Sequence, residues 1–279
     1  MCGILGIFVP RGLPPPAINL DRALGAMIHR GPDGTSGHQS ADGRFQSAFC
    51  RLAIIDLDSG QQPISERAGA RVLLGNGEIY NYLELRRTID DYPYQTQGDM
   101  EAVLAAAHRY GDDFVDHLNG MYALALYDGE VHRLSLVRDR LGVKPLYWAK
   151  IKGGGIAFAS EIKALFATGL VDRDIDEGAV DAYLAHGYVP SPGTLFANVH
   201  KLPPAHRLSI DGSGAIVIER YWMPRADASL PTDAEEVRRH LLDLLDDSVR
   251  LQLRSDVAVG ALLSGGIDSG LLVALAARH

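Results

Sequence analysis

From Ile4 to about Ile218 the chain is a succession of short apolar runs cut by Gly, Asp and Asn, a spacing that suits many strands and few helices. The runs Ile4–Val9, Ile54-Ile55, Val72–Leu74, Tyr122–Tyr127, Leu134–Val137 and Ile156–Phe158 are expected as strands, and Ile216–Ile218 closes the series. Strands this short bury a face only by layering, so stacked sheets covered by helices are expected. Two helices are readable. One lies near Leu83–Ile89; the other opens at Asp99, carries Met100, Val103, Leu104 and Ala107 on one face, and stops at Gly111. Pro190, Pro192, Pro203 and Pro204 make Val189–Pro204 an ordered crossing loop rather than regular structure.

A break at Met223–Pro231 separates a different pattern. Thr232 and Glu235 read as a capping box before a helix bearing Val237, Leu241, Leu244 and Val249. The continuous apolar run Val257–Leu263 is expected as a strand buried on both faces. It leads through Ser264-Gly265-Gly266-Ile267-Asp268-Ser269 into a helix with Leu271, Leu272 and Leu275. A glycine loop between strand and helix serves either as a plain turn or as a cradle in which backbone N–H groups hold a phosphate. No lysine follows, so this is not the common lysine-bearing nucleotide loop.

Composition narrows the function. The 279 residues, 47% hydrophobic and 22% charged, suit one large or two ordinary globular domains. A net charge of −8 and the lack of any Lys/Arg block argue against nucleic acid and other polyanionic partners. The two cysteines, Cys2 and Cys50, build neither a disulfide framework nor a zinc site, which fits a reducing cytoplasm. The N-terminal apolar run lacks a basic lead and meets Pro10, so it reads as a strand and not an export signal. No run reaches the ~20 apolar residues that span a bilayer, so no membrane partner is expected.

Removal of Met1 would leave Cys2 as the amino terminus, carrying a thiol and an α-amine on one residue. Their ordinary pKa values, about 8.5 and about 8, let the amine take the thiol proton near neutral pH. Alone, the Met-Cys pair has no such meaning. In company it does: Cys2-Gly3-Ile4 is followed by His29-Arg30-Gly31-Pro32-Asp33-Gly34, Arg51-Leu52, Asn76-Gly77-Glu78-Ile79-Tyr80-Asn81 and Asp99. Further along stand Arg138–Tyr147, Ala159–Leu165 and Lys201-Leu202-Pro203-Pro204. In this order the motifs resemble the class II, N-terminal-nucleophile glutamine amidotransferases, and more closely the glutamine-hydrolysing asparagine synthetases. The Ser264–Ser269 loop resembles the pyrophosphate loop of ATP-pyrophosphatases, which activate a substrate as an adenylate.

The resemblance implies an α+β fold: a four-layer α/β/β/α sandwich over residues 2–222, then the first strand, loop and helix of a doubly wound α/β adenylating domain over 232–279. It assigns Cys2 as nucleophile, with Asn76 and Gly77 as oxyanion donors. Arg51 would hold the α-carboxylate of glutamine and Glu78 and Asp99 its α-ammonium, with Leu52 and Ile54 also in the glutamine site. Each has a structural alternative: an Asn-Gly turn for Asn76-Gly77, surface charges for Arg51 and Glu78, a helix cap for Asp99. Arg30 and Asp33 are as well explained by a structural ion pair. In the second part Leu263 would meet the nucleotide, Ser264, Gly265, Gly266 and Ser269 the phosphates, and Asp268 would be a candidate Mg²⁺ ligand.

Glutamine, aspartate and ATP are the implied partners, with ATP and Mg²⁺ required only by the synthetase half. Ammonia released at Cys2 would amidate a β-aspartyl-adenylate. Homodimerisation is left open, and relatives acting on other carboxylates, or a non-catalytic remnant, are the alternatives. This chain is expected to retain only the glutaminase half. Three positions depart from the family pattern. Gly98 stands where a small hydroxyl residue is usual, Cys50 where a His is common, and Gly270 where a second Ser follows the loop. Cys50 reads as a small buried hydrophobe.

Overall fold

The computed structural model describes residues 1–66, 70–226, 229 and 231–279. Its strands are β1 Gly3–Phe8, β2 Gly34–Gln39, β3 Phe45–Arg51, β4 Ile64–Ser65, β5 Arg71–Ile79 and β6 Gly120–Asp128, then β7 Arg133–Arg138, β8 Tyr147–Lys150, β9 Ile156–Ala159, β10 Val199–Lys201, β11 His206–Ile210 and β12 Ile216–Arg220. The α-helices are α1 Leu20–Gly25, α2 Tyr82–Thr88, α3 Met100–Tyr110, α4 Ile162–Ala167, α5 Glu177–His186, α6 Ala234–Gln252 and α7 Ile267–Ala276. One sheet has the order β10-β8-β9-β1-β3-β2 and the other β12-β11-β7-β6-β5-β4. Neighbouring strands within both are antiparallel.

Three apolar clusters mark the three contacts between four layers. Phe8, Phe45 and Phe49 of the first sheet meet Leu74, Ala125 and Leu136 of the second. The outer face of the second sheet, through Leu73, Leu124 and Val137, packs on Leu85 of α2 and Val103 and Leu104 of α3. On the other side Leu5, Ile7 and Ala48 receive Leu24 of α1 and Leu165 of α4. Burial on both faces explains why β1 and β3 show no polar–apolar alternation. The expected α+β sandwich of stacked sheets is the observed fold.

Local expectations fare unevenly. Six of the expected strands correspond to β1, β5, β6, β7, β9 and β12, with Val9 just past the end of β1, and the two early helices are α2 and α3. Ile54-Ile55 is instead a loop, because the carbonyl oxygens of Ile55, Asp56 and Leu57 turn inward to accept from the Arg51 guanidinium. The proline-rich crossing loop contains a short strand, β10, paired with β8. The break at Met223–Pro231 includes 227, 228 and 230, which lie outside the described residues. The cap of α6 is Asp233, not Thr232; its carboxylate accepts from the N–H groups of Glu235 and Glu236.

Val257–Leu263 is likewise corrected: it lies outside any strand, with Leu262 97% exposed. A parallel strand draws its ladder from neighbouring strands, and among the described residues none lies beside this run. Helices α6 and α7 pack together, joined by ion pairs of Arg278 and His279 to Asp246.

Candidate active site

Cys2 immediately precedes β1, and the chain around it is held by the His29–Gly34 segment. Gly31 lies against β3 so closely that a Cβ there would come within 2.5 Å of backbone atoms of Arg51, which is why glycine stands at that position. Arg30 is thereby directed inward. Its Nε donates to the Cys2 carbonyl oxygen at 2.9 Å and its guanidinium pairs with Glu161 at 3.0 Å. Asp33 takes a different partner, accepting from the Ala53 N–H at 2.9 Å. The ion pair of this motif is thus Arg30–Glu161, and the whole segment fixes both Cys2 and the end of β3.

A cavity of about 210 Å³ opens beside the thiol. Cys2, Arg51, Leu52, Ile54, Asn76, Gly77, Glu78 and Asp99, all eight glutamine-site residues expected from the sequence, line it together. Cys2 Sγ accepts from the Leu52 N–H at 3.4 Å and faces the Leu52 carbonyl at 3.6 Å. Burial pushes the Cys2 thiol above its ordinary pKa. The thiol therefore stays protonated near neutral pH unless a base takes its proton. Met1 also lines the cavity, and burial lowers the pKa of its α-amine.

Asn76 and Gly77 sit in β5 opposite Ala123 and Tyr122 of β6, so the pair is strand and not a hairpin turn. A Cβ at Gly77 would come within 2.0 Å of the Met121 carbonyl oxygen, a contact only glycine avoids. Asn76 is 1% exposed, and among the described residues its side-chain Nδ2 has no hydrogen-bond partner. A buried amide donor without an acceptor costs about 1–3 kcal/mol, so its retention beside a cavity calls for an explanation.

Charged groups ring the same space. Asp99 precedes α3 but does not cap it; one carboxylate oxygen accepts from the Ile79 N–H at 2.8 Å. Desolvation pushes the Asp99 carboxyl up to about 6, a rise opposed by that hydrogen bond and reinforced by the neighbouring Glu78. Burial raises Glu78 too, against the pull of Lys144 and the terminal amine. Arg51, also buried, gives three N–H bonds to the carbonyls of Ile55, Asp56 and Leu57. That leaves two of its five donors for a ligand.

Among the lining residues given no site role from the sequence, two are polar, Gln62 and Lys144. Gln62 mimics a strand partner, accepting from the Gly75 N–H at 2.6 Å and donating to its carbonyl at 3.1 Å. Lys144 is delivered to the cavity by the loop after β7, whose N–H groups at Leu141, Val143 and Lys144 donate to the Asp139 carboxylate. The Arg138–Tyr147 motif could have pointed to Lys144, but only once this loop geometry is known.

The arrangement joins a thiol, an unpartnered amide donor, two carboxylates and a guanidinium around a space of amino-acid size. Residues 1–222 match the family described as glutamine amidotransferase domain. The chain belongs to that family. Residues 240–279 of this amidotransferase chain match asparagine synthase. It is 36% identical to asparagine synthetase 1 (glutamine-hydrolyzing) of Bacillus subtilis (strain 168), covering 99% of this chain and 44% of that protein. Asparagine synthetase B of Escherichia coli (strain K12) is also 36% identical, covering 100% of this chain and 45% of the relative. The amidotransferase chain thus spans less than half the length of these relatives. Among solved structures, a glutamine phosphoribosylpyrophosphate amidotransferase from B. subtilis has the same fold, with a TM-score of 0.59 at 18% identity over 99% of this chain and 64% of that one.

The second group of expected residues is placed differently. Leu263, Ser264, Gly265, Gly266, Asp268 and Ser269 are exposed or half-buried around the start of α7 and line none of the cavity with Cys2. Gly265 has φ +83°, which favours glycine, and Ser264 Oγ bonds Ser269 Oγ at 2.9 Å. Among the described residues no cluster of three metal-ligating side chains surrounds Asp268. Cys50 is fully buried, with its thiol 3.4 Å from the Met27 carbonyl oxygen. At Gly98 a Cβ would meet nothing closer than 3.5 Å, so the missing hydroxyl side chain leaves room, not strain.

Proposed function

We propose that the chain hydrolyses glutamine to glutamate and ammonia, with Cys2 as nucleophile after removal of Met1. The observation that carries this reading is Asn76, a buried residue lining the cavity with Cys2, whose Nδ2 has no hydrogen-bond partner among the described residues. Such a donor is available to an oxyanion as it forms. The Cys2 α-amine takes the thiol proton, the thiolate attacks the side-chain amide carbon, and the carbonyl oxygen becomes an oxyanion held by Asn76 Nδ2 and the Gly77 N–H. Collapse of this adduct breaks the C–N bond, with the amine's proton passing to departing ammonia. Water then cleaves the thioester, releasing glutamate and the thiol. Arg51 holds the α-carboxylate, Glu78 and Asp99 hold the α-ammonium, and Leu52 and Ile54 wall the aliphatic part.

For the whole protein we propose a glutamine-hydrolysing asparagine synthetase of the cytoplasm, with residues 2–222 as glutaminase and 232–279 as the opening of the synthetase part. There ATP would supply activation of aspartate for amidation. The glycines of the Ser264–Ser269 loop and the start of α7 suit a phosphate, and Asp268 is the carboxylate available to Mg²⁺. Among the described residues the loop has no flanking strand. The purified 279-residue chain is expected to release ammonia from glutamine. With ATP, Mg²⁺, aspartate and ammonia it is expected to form no pyrophosphate. Absence of ammonia release by a folded chain lacking Met1 would overturn the glutaminase reading.

The charge of Asp99 adds a pH test. A carboxyl with its folded pKa near 6 is anionic above that pH and takes a proton as the pH falls through it. Burial is the main cause of that rise, and the neighbouring Glu78 adds to it. The value of kcat/KM for glutamine is expected to fall below about pH 6. Asp99→Asn should raise KM about tenfold or more, as loss of a charge-assisted contact of roughly 1.5–3 kcal/mol implies, and should shift that acid limb. An unchanged KM with a lowered melting temperature would return Asp99 to a structural role.

A further inference from the structure

The segment following α6 reaches back to the wall of the cavity. Arg254 forms a paired contact with Glu84 of α2, at 2.6 and 2.7 Å, and also donates to the Tyr80 carbonyl oxygen. Two residues later Asp256 grips the loop after β3 from both directions. Its N–H donates to the Ile54 carbonyl at 2.9 Å, and its carboxylate accepts from the Asp56 N–H at 2.6 Å. The loop so gripped walls the cavity through Ile54, Ile55 and Gly60.

Asp56 is the hub of that loop. It is buried and has φ +54°, a left-handed conformation that a residue with a side chain adopts at some cost and that needs its surroundings to hold it. Its carboxylate accepts from Ser59 N–H at 2.9 Å, Ser59 Oγ at 2.6 Å and Gln97 N–H at 2.8 Å, tying the loop to the approach to Asp99. Its carbonyl accepts from Arg51. The remaining backbone donor of Asp56 goes to Asp256, from a part of the chain that the amidotransferase family match at 1–222 does not include.

We propose that Asp256 is a positioning residue for glutamine: it fixes Asp56, and through the Asp56 carbonyl it sets the Arg51 guanidinium that receives the α-carboxylate. This deepens the glutaminase reading and rests on it. The second part of the chain thereby completes the glutamine site of the first without touching glutamine.

The test uses the whole chain with Asp256→Ala and Asp256→Asn. The asparagine side-chain carbonyl still accepts from the Asp56 N–H, whereas alanine leaves that donor without its partner. For Asp256→Ala, KM for glutamine should rise about three- to tenfold with kcat within about twofold of the parent, the pattern of lost ground-state binding. Asp256→Asn should stay within about twofold of the parent in KM, as retention of the hydrogen bond implies. Hydrogen exchange at residues 54–60, measured without glutamine, should quicken in the alanine variant only.

An unchanged KM and unchanged exchange in Asp256→Ala would overturn the proposal. So would equal losses in both variants, since charge and not the hydrogen bond would then be responsible. If the parent chain fails to hydrolyse glutamine, the glutaminase reading fails and the role in glutamine binding falls with it. The exchange measurement then still reports whether Asp256 braces the loop, so the two failures are told apart.

Discussion

Cys2→Ala is expected to reduce glutamine hydrolysis to background, a loss of roughly four to six powers of ten, the scale seen when a nucleophile is removed from an otherwise intact site. Cys50→Ala should retain most activity. Cys2 stands just before β1 and Cys50 lies on the neighbouring β3, and burial raises the pKa of both thiols, so intrinsic acidity does not distinguish them. Position does. Cys2 lines the cavity with Asn76, Glu78 and Asp99, whereas Cys50 faces the opposite side of its sheet, in the cluster with Met27 and Leu24. Only Cys2 gains an α-amine when Met1 is removed. Retaining Met1 or adding a residue before Cys2 should therefore silence the enzyme while leaving the thiol in place. Ammonia release by each variant, with circular dichroism confirming folding, decides the matter; equal losses from the two cysteine substitutions would sink the assignment of Cys2.

The cavity residues were legible because they stand in ordered motifs, and the fold brings all eight together although they span Cys2 to Asp99 in sequence. What the motifs lacked was the reason for each neighbour. Gly31 stood in its motif without a stated reason and Gly77 had a turn as its structural alternative, yet each permits a close backbone approach, to Arg51 and to Met121. Strand β3 escaped a periodicity reading because Gln46, Ser47 and Arg51 are buried along with Phe45 and Phe49. Gln46 donates to the Gly43 carbonyl at 2.9 Å, and Arg51 to the carbonyls of Ile55, Asp56 and Leu57. Ile54-Ile55 looked like a strand by composition, and no local pattern could foretell that Arg51 would claim the adjoining carbonyls. Helix α5 was missed despite a cap at Asp176 and a left-handed Gly187, both readable in retrospect. The brace from Asp256 to Asp56 had no local trace, because it joins positions 200 residues apart.

Asn76→Ala should lower kcat for glutamine by about 10²–10³-fold, the usual loss when one oxyanion donor is removed, with KM changed little. The split follows from the geometry. Asn76 is 1% exposed and its Nδ2 has no hydrogen-bond partner among the described residues, which suits a donor that meets its acceptor on the reaction path. A donor that served only to hold glutamine would raise KM instead. Stability should not fall with activity. The Asn76 Nδ2 has no hydrogen-bond partner to lose among the described residues, and the volume vacated adjoins a cavity already open, so little packing is lost. Asn76→Ala should therefore melt no lower than the parent. Asn76→Asp, equal in shape, substitutes acceptors for the donor and should be at least as inactive. If Asn76→Ala loses kcat only in proportion to a lowered melting temperature, Asn76 is a strand residue and the oxyanion role is wrong.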